Sequence, residues 1–386
     1  MNIEPNAIDL YALDEDWTDE QKMICEQLRR FVDREILPEI AEWSETATVP
    51  LEVIAKLGEF GILEVYASGD LDPTTYGLVM REIERGGSGL RSFFSVQGSL
   101  VLYPIMTFAS DEQRERWLKP LSTFEKIGCF GLTEPDFGSN PGGLRTRAER
   151  TSDGFRLNGT KAWITNGTLA DVAIIWAKLD DKINGFLVET DRKGFEARAM
   201  KGKWSFRTSD TAELFLDDVE IPEANLMPGA NSLGKAMDTL NQARYSILWG
   251  VIGAARGCLE ETWQYLLDRP QFAGKPLASH QLIQSKLAWM AAELTCMEVL
   301  AKRLGELKSQ GRLKPVQVSI AKMNNVRKAL EIARTCRELL GANGIHYEYH
   351  VGRRMLDLET VVTYEGTEHI HSLIVGHHMT GIAAYA

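Results

Sequence analysis

A single carboxylate stands between an aromatic ring and a glycine in Thr363-Tyr364-Glu365-Gly366-Thr367. Apolar and aromatic neighbours strip water from such a group. Its pKa then rises toward neutrality, where a carboxylate works as a proton-abstracting base. Gly366 lets another group approach the backbone closely. Taken alone, the pentapeptide reads more often as a helix end than as a catalytic loop. A second pair with chemical content is Glu84 and Arg91, within Arg81-Glu82-Ile83-Glu84-Arg85-Gly86-Gly87-Ser88-Gly89-Leu90-Arg91-Ser92. A guanidinium presents a planar fork that fits a carboxylate. The same two residues could equally form a solvated pair across a helix junction. Six of the 7 histidines (His346, His350, His369, His371, His377 and His378) crowd toward the C-terminus. They lack HExxH spacing and a paired carboxylate face, so no metal is expected.

The elements that position these residues come in three blocks. From about residue 17 to 127 the apolar period is helical. Thr18-Asp19-Glu20-Gln21 reads as a capped start for a helix running to about Glu42, with Ile24, Leu28 and Phe31 on one face. Further helices are expected over Leu51–Phe60, Tyr76–Arg85, Ser92–Phe108 and Glu112–Leu121. Between Gly128 and about Gly229 the runs become short and β-rich. Phe155-Arg156-Leu157 leads into Asn158-Gly159, a type I′ hairpin signal, with Thr160–Thr165 as the return strand. Asp171–Lys178, Gly185–Glu189 and Thr211–Val219 read as further strands of a small β-barrel or sandwich. From Leu233 the chain is helical again over Ala236–Asp268, Ser279–Gln310, Pro315–Leu340 and a shorter end region, as in an antiparallel bundle. The expected fold is therefore multi-domain α+β: an N-terminal helical domain over 1–127, a middle β domain over 128–232 and a C-terminal four-helix bundle over 233–386.

Composition bounds the function. A chain of 386 residues exceeds what one core usually organises. Hydrophobic residues at 44% and charged residues at 25% are those of an ordinary globular protein. A net charge of -11 argues against nucleic acid and anionic membrane as partners. The longest apolar run, Ile247–Ala255, is too short to span a bilayer. Met1-Asn2-Ile3-Glu4-Pro5 has neither the basic and apolar regions of a secretory signal nor the arginines of a mitochondrial presequence. The scattered Cys25, Cys129, Cys258, Cys296 and Cys336 read as reduced residues of a cytoplasmic protein. GxGxxG does not occur. Gly229–Lys235 imitates a phosphate loop, but Ala236 stands where the metal-binding hydroxyl is needed, so dinucleotide-fold and P-loop readings fail.

The order of blocks and five motifs resemble the acyl-CoA dehydrogenase family over nearly the whole chain. Phe130-Gly131-Leu132-Thr133-Glu134-Pro135, followed by Gly138-Ser139, resembles its flavin and thioester segment. Trp163-Ile164-Thr165 resembles its flavin-stacking strand, and Asp268-Arg269-Pro270-Gln271-Phe272 its DRxQF segment. Leu339-Leu340-Gly341-Ala342-Asn343-Gly344 is similar to its LGGNG turn, and Tyr364-Glu365-Gly366-Thr367 to its catalytic-base loop.

The resemblance implies FAD as cofactor and Glu365 as the base that takes the α-proton of an acyl thioester while hydride leaves the β-carbon. It implies that the enolate oxygen is held by the Glu365 backbone N–H and a ribityl hydroxyl of FAD. Trp163 would face the isoalloxazine, with Phe130, Leu132, Thr133, Gly138, Ser139, Ile164 and Thr165 around the flavin. Arg269, Phe272, Gln281, Leu340, Gly341, Thr367 and His369 would complete the cofactor site. Ser139, Asn241, Arg244, Tyr364 and Gly366 would meet the acyl-CoA. Some branches place the base on the first helix of the bundle; the matching residue here is Ala243, which cannot serve. The expected partners are an acyl-CoA, an electron-transferring flavoprotein as electron acceptor, and further copies of the chain in a homotetramer, because the Gly341–Gly344 turn reaches the FAD of a neighbouring subunit in the family.

The string around Glu84, Arg91 and Ser92, with Ser95-Val96-Gln97 and Leu240-Asn241-Gln242-Ala243-Arg244-Tyr245, is most similar to the glutaryl-CoA branch of the family. In that branch an Arg seven residues after a Glu binds the distal carboxylate. The implied reaction is oxidation of glutaryl-CoA followed by decarboxylation to crotonyl-CoA. The alternative is dehydrogenation of another short-chain or dicarboxylic acyl-CoA without decarboxylation. Three departures from the family pattern bear on the acyl pocket and flavin contacts: Ala273 as an extra residue, a short Gly69–Thr74 segment, and Pro141-Gly142-Gly143 beside Ser139.

Overall fold

The structure, a computed structural model, describes residues 8–384; the Met1–Pro5 stretch bearing on targeting lies outside them. Thr18 forms the expected capping box with Gln21 and opens helix α1, Asp19–Phe31. The helix expected to continue to Glu42 is broken. A wide π segment, Val32–Ile36, precedes Leu37-Pro38, and α2 restarts at Ile40–Thr46. Pro38 has no N–H to donate and its ring crowds the preceding turn, which ends regular α pairing there. Helix α3 covers Leu51–Gly58. Helix α4, Ile62–Ser68, was not foreseen; it lies between left-handed Gly61 and Gly69 (φ 67° and 85°) and is too short to show a helical period. Helix α5, Pro73–Gly86, starts three residues before the expected Tyr76 because Asp72 caps it and Pro73 fits the first position. Helices α6 (Ser88–Ser95) and α7 (Tyr103–Phe108) flank a second π segment, Val96–Leu102, and α8 spans Asp111–Ser122 behind a Ser110 capping box.

The middle segment forms one seven-stranded sheet in the order β1-β4-β2-β3-β7-β6, with β5 on the other edge of β4. The strands are β1 Gly128–Gly131, β2 Arg147–Arg150, β3 Gly154–Thr165, β4 Val172–Leu179, β5 Lys182–Glu189, β6 Phe195–Ala199 and β7 Thr211–Pro222. The expected hairpin at Asn158-Gly159 does not exist. Phe155 and Thr165 belong to the same strand, which runs straight through and pairs antiparallel with β7. Asn158 instead sits at an irregularity in that ladder: its amide donates to Asp218 Oδ1 (3.0 Å) and accepts from the Asp218 N–H (2.9 Å). Gly159 is needed for close approach rather than for a turn, since a Cβ there would lie 2.4 Å from Thr146 Oγ1 on the neighbouring chain segment. Along β4 the side chains alternate. Val172, Ile174 and Trp176 join the helical core, while Ala173, Ile175 and Ala177 pack among the strands. A sheet buried on both faces explains why β4 reads as an unbroken apolar run.

The C-terminal helices are α9 (Leu233–Asp268), α10 (Gln281–Ser309), α11 (Pro315–Leu339), α12 (His350–Val361) and α13 (Glu368–Thr380). Helix α9 lies against α5 at very close range. Gly77 faces the Trp249 indole, and a Cβ on Gly253 would meet the Arg81 carbonyl at 1.8 Å. This contact ties the N-terminal helices to the bundle. Among the described residues no helix is long and apolar enough to cross a membrane.

Candidate active site

Helix α12 ends at Val361 and α13 is capped at its N-terminus by the Thr367 hydroxyl, leaving Val362–Gly366 as the linking loop. Glu365 and Gly366 are both left-handed, at φ 51° and 95°. A non-glycine residue there is uncommon and must be held by its surroundings. Three bonds hold it: Lys322 Nζ donates to the carbonyls of Tyr364 and Gly366 (2.7 Å each), and Arg244 Nε donates to that of Glu365 (2.8 Å). The Glu365 carboxylate itself is left over, and its Oε2 is buried without a partner among the described residues. Burial raises its pKa above the ordinary carboxylate range, while Arg91, Lys322 and Arg244 pull it back down. The setting is the one a proton-abstracting carboxylate needs.

Glu84 and Arg91 are not a solvated pair. Both side chains are 0% exposed, joined by a 2.6 Å bond from Arg91 Nε to Glu84 Oε2. Burial works against the Arg91 charge, but Glu84 and the Tyr364 hydroxyl outweigh it and keep the guanidinium protonated. Arg91 also donates through Nη2 to the Tyr364 hydroxyl, which places it against the Val362–Gly366 loop. Its third nitrogen, Nη1, is buried and has no partner among the described residues. Phe206 stacks edge-on against Tyr364 at 5.6 Å and is itself held by its N–H to Asp357 (2.8 Å). Ser92 is buried next to Arg91. Asn241 accepts from Arg244 Nη1 (3.0 Å) on the opposite wall, and Ala243 lies fully buried in the core.

On the sheet side, Ala162 N–H donates to the Thr133 carbonyl (2.9 Å), pinning the two predicted flavin segments together. Between buried Ala162 and Ile164, a break in the β3–β7 ladder leaves Trp163 at φ 61° with its ring 62% exposed. Phe130 and Leu132 turn into the core, where Phe130 meets Trp176 at 6.1 Å. Thr133 and Thr165 are half-buried, and Gly138 and Ser139 lie exposed beyond them. Beneath this surface Lys161 donates to Glu134 (2.9 Å) and to the Leu132 carbonyl (3.1 Å), an underpinning that the sequence reading missed.

Three family models cover the chain in succession: acyl-CoA dehydrogenase N-terminal domain over residues 18–125, middle domain over 129–219, and C-terminal domain over 233–380. The chain belongs to the acyl-CoA dehydrogenase family. Among solved structures it is similar to a glutaryl-CoA dehydrogenase from Mycobacterium smegmatis, with 48% identity, a TM-score of 0.95, and 98% and 99% of the two chains covered. A second glutaryl-CoA dehydrogenase structure from that organism, in complex with FADH2, has 46% identity and a TM-score of 0.96, with coverage of 98% and 99%. Among curated proteins it is 33% identical to the mitochondrial short-chain specific acyl-CoA dehydrogenase of Rattus norvegicus, over 93% of this chain and 89% of that one.

The family's cofactor is FAD, and this chain is an acyl-CoA dehydrogenase that uses it. The residues present fit the group: Trp163 offers a bare aromatic face, Thr133 and Thr165 offer polar atoms beside it, and no atom lies within 4 Å of where a Gly138 Cβ would be. The remaining expected contacts lie elsewhere. Arg269 and Gln281 are exposed, Leu340 is buried, and Gly341 is exposed at φ 60°. Phe272 is 78% exposed. Among the described residues no hydrogen bond, ion pair or ring contact joins these five to Thr133, Trp163 or Glu365. Phe272, the extra Ala273 and Gly274 are all left-handed, which makes the short hairpin β8–β9 (Pro270–Gln271, Lys275–Pro276) a tight one. His369 is exposed, while His371 is fully buried behind Gly366, its ring nitrogens without hydrogen-bond partners among the described residues. Thr367 serves as the α13 cap.

Proposed function

We propose that this acyl-CoA dehydrogenase oxidises glutaryl-CoA and decarboxylates the product to crotonyl-CoA. The observation that carries the reading is the buried Arg91 Nη1, a charged donor with no partner among the described residues, beside the loop that bears Glu365. Arg91 is paired with Glu84 through Nε, but a buried charged N–H left without an acceptor is still costly. A carboxylate at the far end of the acyl chain would satisfy it, whereas a monocarboxylic chain would not. The likeness to glutaryl-CoA dehydrogenases supports the same assignment.

The Glu365 N–H would hold the thioester oxygen, and the Glu365 carboxylate would remove the α-proton as negative charge moves onto that oxygen. FAD, when bound, supplies the acceptor for the β-hydride. The resulting enoyl thioester carries its carboxylate on the γ-carbon, next to a double bond that is conjugated with the thioester carbonyl, so it is the vinylogue of a β-keto acid. Loss of CO₂ places the electron pair of the broken C–C bond in a dienolate held by the same N–H, and protonated Glu365 returns its proton to carbon. Ser139, Asn241 and Arg244 would line the thioester and CoA side. An electron-transferring flavoprotein would reoxidise the cofactor. The exposed Phe272 and the Gly341–Gly344 turn would close the FAD site of a neighbouring copy in a homotetramer. Five unbridged cysteines support a cytoplasmic setting.

The rat short-chain relative favours a second reading, dehydrogenation of a monocarboxylic acyl-CoA without decarboxylation. A panel of butyryl-, glutaryl- and longer acyl-CoA substrates, with products identified by mass, separates them. Crotonyl-CoA and CO₂ formed preferentially from glutaryl-CoA is the expected result; glutaryl-CoA left unchanged while butyryl-CoA is oxidised would overturn it.

A further inference from the structure

Lys322, in the middle of α11, is only 1% exposed. Among the described residues it makes no ion pair. Its ammonium spends itself on the carbonyls of Tyr364 and Gly366, one on each side of Glu365, and lies 5.8 Å from the Tyr364 ring centre. A lysine so placed is expensive. A methionine would fill the same space without desolvating a charge. The cation therefore needs a reason, and the loop supplies one. Carbonyls 364 and 366 flank a left-handed residue, and two bonds from a single ammonium lock their separation.

We infer that Lys322 is a positioning residue for proton abstraction, fixing the left-handed Glu365–Gly366 turn so that the Glu365 carboxylate and its N–H address the same substrate. The inference rests on Glu365 being the base. Burial pulls the Lys322 amine down to about 7 against the attraction of Glu365, so it is charged on the acid side, where it favours the ionised form of the buried carboxylate. The groups acting on Glu365 are Arg91 from α6, Arg244 from α9 and Lys322 from α11; His371 from α13, Tyr364 from the loop and Tyr76 from α5 lie in the same environment. No signal in the sequence marks Lys322: it is one lysine on a long helix, 43 positions away from the base in the numbering of the chain.

The test uses purified FAD-loaded enzyme and two substitutions. Lys322→Met removes charge and donors; Lys322→Gln keeps an amide that can donate to both carbonyls. Anaerobic flavin bleaching by glutaryl-CoA is followed against pH, with butyryl-CoA in parallel, and hydrogen exchange is measured across residues 362–368. The expected result for Lys322→Met is a loss of about 100-fold in limiting bleaching rate with substrate half-saturation little changed. Its acid limb should move to higher pH, and exchange in the loop should be faster. Lys322→Gln should recover part of the rate while keeping the shifted limb. A folded, FAD-loaded Lys322→Met enzyme with wild-type rate, limb and exchange overturns the inference. If Lys322→Met does not fold, a Lys322→Gln enzyme with an unmoved limb and wild-type rate overturns it instead. Glu365→Gln is run beside them: bleaching that survives in that variant rejects the base assignment, a different failure from an indifferent Lys322.

Discussion

A Cβ on Gly250 would lie 2.1 Å from Glu84 Oε2 and 3.0 Å from Arg91 Nε. The glycine in α9 thus makes the space in which the α5–α6 ion pair is buried, and with it the orientation of the Arg91 fork. Gly250→Ala is expected to displace that pair without touching Glu365. Glutaryl-CoA kcat/KM should fall by roughly tenfold or more and thermal stability by about 1–3 kcal/mol, the usual cost of overpacking. Kinetics on two substrates and a melting curve check it; wild-type glutaryl-CoA kinetics would show that the pair tolerates the shift.

Glu365→Gln should retain fold, FAD and ligand binding yet lose about 10²–10⁴-fold in flavin bleaching, the usual contribution of a general base. Stopped-flow absorbance under anaerobic conditions measures it. Bleaching at the wild-type rate would exclude Glu365 from proton abstraction.

Arg91→Ala should harm glutaryl-CoA far more than butyryl-CoA. Truncating one partner of a buried charged hydrogen bond costs about 2–5 kcal/mol, so the glutaryl loss should be roughly tens-fold or greater in kcat/KM. Part of any loss comes from Glu84, left buried without its partner. Comparing the two substrates cancels that part. Equal losses would make Arg91 structural.

Glu365 must be ionised to accept a proton. Burial raises its pKa above the usual carboxylate value, so activity should rise with pH through a limb lying above the range of an exposed glutamate. Arg91 lowers that pKa, so Arg91→Ala should carry the butyryl-CoA limb to higher pH. A limb that moves down, or stays in place, contradicts the assignment of the limb to Glu365.

Light scattering of the holoenzyme should give a homotetramer, and truncating the exposed Phe272 ring to Ala should weaken FAD retention without changing the monomer fold. A monomer that keeps FAD on gel filtration would count against a cofactor site shared between copies.

Local chemistry made much of this protein legible from its residues. The Thr18–Gln21 box spans one turn, so its two reciprocal bonds follow from four consecutive residues. The pentapeptide at Glu365, the Thr133 and Trp163 segments, and the α, β, α order are likewise short-range patterns. Asn158-Gly159 misled because its turn signal is equally short-range, while the bond that decides it reaches across to Asp218 on another strand. The same limit hid Lys322 and Gly250: each acts on residues of a different helix or loop, and a sequence window carries neither the distance nor the direction. The sequence alone supplied the side chains expected to abstract a proton or grip a carboxylate, and its resemblance to the family those expected to face a flavin. Only the tertiary structure decided that Glu84 and Arg91 are buried together, that Arg91 Nη1 is buried without an acceptor among the described residues near the Glu365 loop, and that Lys322 of α11 bonds to carbonyls on both sides of Glu365. Those are consequences of packing, which brings together charges far apart in the chain and removes the water that would otherwise screen them.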